Sequence, residues 1–360
     1  MPADRPRLAP GRRPAVLVLA VVAAVSAACG GGVASARHPV AVAPRATTPV
    51  VTAPTTTTTV PGAAGTPLPA PADLTPSVVP APAGSGVWAP AGRPVGGSPA
   101  VYTTTLVPPG GSQPAGLAWM DTRLLSARLY SGSTSPGGGP YHWTAPIEPA
   151  EAASLVAAFN GGFQLADAGG GYLTEGRTVA PLVAGAASLV ITADGSVDLG
   201  AWGTDVAMTP DVVAVRQNLV PLVAGGQPTP LAAGPDWQAW GNTCGAGSCA
   251  HDVPGVERQW RSGVGVTADG ALVYALGPDL DPLQLAQLLV QAGAVRAMEL
   301  DINPSWPVLA TYDPPVPGGL AAPSNGTGLL PGTDQGPGTF FEPTWARDFV
   351  TMSARPVGSG

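Results

Sequence analysis

The sequence predicts an α+β domain: a mixed, largely antiparallel sheet built from hairpins, with a few packed helices, forming a single domain behind a disordered linker. Three observations carry this. Two strand–turn–strand patterns close on Asp194-Gly195 and Asp269-Gly270, the turn dipeptide that matches the twist of paired strands. One segment, Pro282 to Ala292, has a complete set of helix start and stop signals. No aromatic residue precedes Trp88, so a packed core begins only near there.

The amino terminus, residues 1–28, has the order of an export signal. Arg5, Arg7, Arg12 and Arg13 precede an apolar run from Ala15 to Val25, too short to span a bilayer. Ser26-Ala27-Ala28-Cys29 then resembles a bacterial lipobox, with Ser26 where that motif usually has Leu. This implies a lipidated Cys29 and an extracytoplasmic protein held on the cell membrane. Residues 29–86 are rich in Pro, Thr and Ala, including the unbroken run Thr55 to Thr59. Such composition favours extended chain and forms no packed core, so it reads as a stalk. The folded domain is expected over residues 87–360.

Within it, Val101 to Val107 and Leu124 to Tyr130 read as strands, and Pro149 to Phe159 as a short helix. The hairpin strands are Ala187 to Thr192 with Ser196 to Gly200, and Val264 to Thr267 with Ala271 to Leu276. In the helix from Pro282, Asp281 is the expected N-cap and Gly293 the stop. Leu285, Leu288, Leu289 and Ala292 form its apolar stripe. Val295 to Ile302 follows as a buried strand.

Composition excludes some functions. The net charge is −7, and all 16 basic residues are Arg, scattered along the chain. Nucleic acid binding needs clustered cations, so no nucleic acid partner is expected. Three His and three Cys leave little for a metal centre, and no cofactor motif occurs. Cys244 and Cys249 read as a loop-closing disulfide outside the cytoplasm, a simpler account than a zinc site with His251 and Asp252.

Three segments carry candidate chemistry. Glu299, Asp301 and Asn303 alternate on one strand and so should share a face, with Met298, Leu300 and Ile302 opposite. Asn160-Gly161-Gly162-Phe163 reads either as a helix stop or as a backbone cradle for a substrate anion. Arg261, beside Trp260, offers a fork for phosphate or carboxylate, unless it is a surface ion-pair partner.

In order and spacing these segments resemble the phosphodiester glycosidase family, from about Trp88 to Phe349. The resemblance rests on Asn160 to Phe163, on Tyr172 and Gly176, on Arg261-Ser262-Gly263-Val264-Gly265-Val266 before Asp269-Gly270, and on the helix and strand ending in Leu300-Asp301. The family follows that Leu-Asp with a Gly-Gly-Gly-Ser run, whereas Ile302-Asn303-Pro304-Ser305-Trp306 stands here, with Ser305 in place of the family Ser. The resemblance implies a hydrolase that cleaves a sugar C1–O–phosphate bond, its substrate an envelope or cell-wall glycan phosphodiester. Asp301 is the expected nucleophile or base and Glu299 a second acid. Arg261 would clamp phosphate; Asn160, Gly161, Gly162, Asn303 and Ser305 would position substrate. The alternative from another class is a non-catalytic lipoprotein binding glycan through Trp202, Trp240, Trp260 and Trp306.

Overall fold

Hairpins organise the chain into three antiparallel sheets in the computed structural model, which describes residues 64–241 and 257–357. The largest sheet has eight strands. Its middle is formed by Ala115–Met120, Leu272–Leu280, Gln259–Thr267 and Ala294–Ile302, in that order. A second sheet has Val212–Gln217 at its centre. A third has Leu155–Asn160 at its centre, between Leu309–Tyr312 and Phe349–Ala354.

This corrects the expected α+β class. Every pairing between these strands is antiparallel, and the described residues hold two α-helices, of four and ten residues. The expected helix from Pro149 to Phe159 accounts for most of the difference. Only Pro149–Ala152 is helical; Leu155–Asn160 is a strand whose six residues are all buried. A short, continuously apolar run suits a central strand as well as a buried helix, and periodicity cannot separate them. The strand's side chains divide between two apolar clusters, Val156, Ala157 and Phe159 in one and Leu155 and Ala158 in the other, so both faces are covered and its sequence does not alternate.

The other expected elements are present. The helix Pro282–Gln291 is closed by a capping box: Asp281 accepts from the Gln284 amide at 2.8 Å, and the Gln284 side chain accepts from the Asp281 amide at 3.2 Å. Its Leu285, Leu288 and Leu289 pack on one face of the large sheet with Ala275, Ala297 and Trp240. The opposite face packs against both smaller sheets: Val264, Tyr274, Met298 and Leu300 join Leu129, Phe159 and Met352 of the third sheet and Leu189 and Ile191 of the second. The three sheets thus share one core.

The folded part also begins earlier than residue 87. Residues 64–86 lie along the domain as a strap: Leu68 is buried, its amide donates to Asp121 Oδ2 at 2.8 Å, and Asp73 accepts from the Trp88 amide at 3.0 Å. Scattered apolar side chains on a Pro-rich strap can dock without forming a core of their own. Cys29 and the Thr run, like Cys244 and Cys249, lie outside the described residues.

Candidate active site

A break in strand register builds the site. On the strands Gln259–Thr267 and Ala294–Ile302, Arg261 pairs with Ile302 and Gly263 with Glu299. Ser262 therefore stands opposite both Leu300 and Asp301, which is a β-bulge. A bulge interrupts the alternation of side chains and re-aims the residues after it. The Ser262 hydroxyl fastens it, accepting from the Asp301 amide and lying within bonding distance of the Asp301 carbonyl, both at 3.2 Å. Asn218 fastens the other flank, donating through Nδ2 to the carbonyls of Glu299 and Leu300 at 3.0 and 3.1 Å.

The bulge separates the two carboxyls that alternation places together. Glu299 stays on the helix side of the sheet, fully buried, and its Oε1 accepts from Arg261 Nη1 at 2.6 Å. Arg261 gives three more of its five N–H groups to the carbonyls of Leu280, Trp240 and Glu257 at 2.9, 3.1 and 2.9 Å. It is a buried structural cation with little left for a phosphate, so the expected clamp is not found at Arg261. Burial raises the Glu299 carboxyl to about 7 despite the opposing pull of Arg261.

Asp301 turns the other way, toward the junction of the three sheets. Its Oδ2 is 3.7 Å from Arg347 Nη2, and its Oδ1 accepts from the Ile302 amide at 2.8 Å. Burial drives its carboxyl well above the ordinary carboxylate range, and nearby Asp348 adds to this; Arg347, the Ile302 amide and Arg216 oppose it. The surroundings of Asp301 therefore favour its protonated form more than water would.

Beneath it lies a buried ion pair. Arg216 Nε donates to Asp348 Oδ2 at 2.7 Å and Nη2 reaches Oδ1 at 3.3 Å. The same guanidinium donates to the carbonyls of Gln217 and Phe163. Gly161 and Gly162 cross this pair at close range. A Cβ on Gly161 would overlap the Asp348 carboxylate, and one on Gly162 would lie 2.7 Å from Asn218 Oδ1 and 2.9 Å from the Arg216 guanidinium. Close backbone approach, and neither a helix stop nor a free anion cradle, is what requires glycine here. Asn160 is the knot of the network: Oδ1 accepts from the Tyr274 hydroxyl at 2.6 Å and the Val308 amide at 3.1 Å, while Nδ2 donates to Ser262 Oγ at 3.1 Å and the Gly161 carbonyl at 2.8 Å. Its hydrogen-bonding capacity is filled by the protein, so it positions Ser262 and, through it, the bulge.

Asn303 and Ser305 brace the next turn. Asn303 has φ 66°, a left-handed conformation that asparagine tolerates better than most side chains, so the turn keeps a backbone shape usual for glycine. Its Oδ1 accepts from the Ser305 amide at 2.9 Å, and Ser305 Oγ donates to Asp334 at 2.7 Å. The turn brings half-buried Trp306 against Arg347, with 4.2 Å from guanidinium carbon to ring centroid. Of the other tryptophans, Trp240 is fully buried, while Trp202 and Trp260 are half-buried in separate apolar clusters. Sequence reasoning missed Arg216, Asn218, Arg347 and Asp348. Arg216 lies in the strand Val212–Gln217 and Asn218 follows it, while Arg347 and Asp348 stand just before the final strand, with no local pattern to mark any of them. Among the described residues no cluster of His, Cys, Asp and Glu could hold a metal ion.

The class these features define is an all-antiparallel β domain with a buried carboxyl at the junction of three sheets. Residues 153–301 match the phosphodiester glycosidase family model, so the chain carries a phosphodiester glycosidase-like domain; the matched segment includes Asn160, Gly161, Gly162, Arg216, Ser262 and Asp301. Among solved structures, the catalytic domain of zebrafish N-acetylglucosamine-1-phosphodiester alpha-N-acetylglucosaminidase, auto-inhibited by its pro-peptide, is similar at 16% identity, with 74% of this chain and 86% of that chain covered and a TM-score of 0.39. A hypothetical protein from Synechocystis is similar at 13% identity, over 74% of this chain and 64% of its own, with a TM-score of 0.37. No curated protein matches the chain.

Proposed function

We propose that the protein is a hydrolase that cleaves sugar-1-phosphodiesters at the C1–O–phosphate bond. The observation that supports this most is the bulge that takes Asp301 away from Glu299 and sets it among Arg347, Arg216 and Asp348, where burial favours its protonated form. Asp301 donates its proton to the bridging oxygen as the C1–O bond breaks. The leaving group is a phosphomonoester, whose second pKa of about 6 lets a carboxyl with a raised pKa serve as a matched acid. The carboxylate left behind faces the positive charge developing at C1. Water then adds hydroxide to C1, and its remaining proton restores Asp301. This assigns the first step of Asp301 to an acid, where the sequence points to a nucleophile or base.

The substrate we propose is an envelope glycan phosphodiester, met by an exported protein held on the membrane through Cys29. The export-signal pattern and the following cysteine support that placement.

Release of free sugar from N-acetylglucosamine, glucose and mannose 1-phosphodiesters tests the reading. Asp301→Asn keeps the side chain's shape but has no acidic proton, so the rate should fall at least about a hundredfold. Wild-type activity should also decline as rising pH ionises Asp301. Undiminished activity in Asp301→Asn would remove it from the chemistry. No turnover of any of the three by the wild type would favour a glycan-binding lipoprotein instead.

A further inference from the structure

Three guanidinium groups lie at or near the site, and two of them are spent. Arg216 is fixed on Asp348 and two carbonyls, and Arg261 on Glu299 and three carbonyls. Arg347 differs. Its side chain is 8% exposed, yet Nε and Nη1 are buried with no hydrogen-bond partner among the described residues. Its remaining nitrogen, Nη2, is 3.7 Å from Asp301 Oδ2, beyond a normal hydrogen bond. Trp306 covers one face of the guanidinium and fixes its plane. Leaving buried donors unmade is costly, and more so on a charged group. A cation held this way is complementary to an anion that enters in the guanidinium plane.

We propose that Arg347, held flat on Trp306, reads the phosphate of the substrate and is the residue that selects phosphodiesters over neutral glycosides. This rests on the hydrolase reading for its substrate. The fork geometry gives it a consequence. Both bidentate edges of a guanidinium, Nε with Nη2 and Nη1 with Nη2, include Nη2. Nη2 is the nitrogen beside Asp301, so a phosphate bound on either edge lies next to that carboxyl and presents its bridging oxygen to the proton. The charges agree: Asp348 is already paired with Arg216, so its charge does not oppose an anion at Arg347.

Calorimetric titration of the whole protein with inorganic phosphate, at constant ionic strength, tests the site without turnover. Wild type should bind, Arg347→Met should lose binding, and Arg347→Lys, which keeps charge but not the fork, should bind about 10-fold to 100-fold more weakly. Trp306→Leu should weaken binding by freeing the guanidinium. Equal binding by wild type and Arg347→Met, or none by wild type, would overturn the proposal. Thermal unfolding checks each variant. If Arg347→Met does not fold, unchanged affinity in both Arg347→Lys and Trp306→Leu overturns it instead. Turnover separates the two readings. Phosphate bound through Arg347 by a wild type that releases no sugar leaves the anion site standing without the hydrolase. Sugar release at the same KM by wild type and Arg347→Lys leaves the hydrolase standing without the anion site.

Discussion

Glu299 is a buried acid outside the proposed chemistry, and its proton should make the fold depend on pH in a defined direction. The perturbation is Glu299→Gln, which keeps size and an acceptor for Arg261 but cannot ionise. Burial raises the carboxyl from an ordinary 4.5 to about 7. Between those values the folded protein binds a proton that the unfolded chain has released, so stability falls as pH rises. The contribution is fully present below about 4.5 and is lost as pH rises through about 7. Each tenfold in proton affinity is worth about 1.4 kcal/mol, so the whole change is about 3 kcal/mol. For a domain of this size that is roughly 5–10 °C in Tm. Denaturant unfolding of wild type and variant across pH 4.5 to 8.5 reads the effect as a difference, in which every other titrating group cancels. Removing the negative partner of Arg261 will shift the variant by some fixed amount. On top of that offset, the variant should gain about 3 kcal/mol on the wild type between the two ends of the range. A constant difference, or one that moves in favour of the wild type as pH rises, would show that the attraction of Arg261 matches or outweighs desolvation and would refute the reasoning.

Other outcomes follow from the packing and from the expected export. Gly161→Ala should destabilise the domain by about 1–3 kcal/mol or more, because the new Cβ meets the Asp348 carboxylate and carbonyl; chemical denaturation measures it. Cys29→Ala should release the protein from membranes, and unchanged partitioning into the detergent phase would count against lipidation. Thiol labelling of the denatured, unreduced protein should find neither Cys244 nor Cys249 free; labelling of both would exclude their disulfide.

What the sequence made legible was whatever is encoded locally. The Asp-Gly hairpins, the capped helix at Pro282–Gln291 and the strand Ala294–Ile302 each have their signal within a dozen residues, and each stands where that signal puts it. Leu155–Asn160 was illegible because its apolar run is uniform, and only its two strand neighbours decide between helix and strand. Gly161 and Gly162 were visible as unusual, but their reason lies in Asp348, Arg216 and Asn218, which come from other strands and loops. Arg347 was hidden because its neighbours at the site, Trp306 and Asp301, are remote in the chain.

The bulge shows why spacing alone misassigned the carboxyls. Residues 297 to 300 do alternate: Ala297 and Glu299 face the helix, Met298 and Leu300 the shared core. One further step of the same rule puts Asp301 beside Glu299, where two acids would share a single arginine. Instead, one unpaired residue sends Asp301 to the opposite side, so each acid has its own cation, Arg261 or Arg347. Neither environment suits an exposed carboxylate, yet the two differ in what surrounds the cation. Arg261 is surrounded by carbonyls and closes off its site. Arg347 has an indole on one face and unmade donors at its edge, which leaves it bonding capacity for an anion. The chemistry therefore belongs with Asp301, and the device that puts it there is a hydrogen-bonded serine on the neighbouring strand.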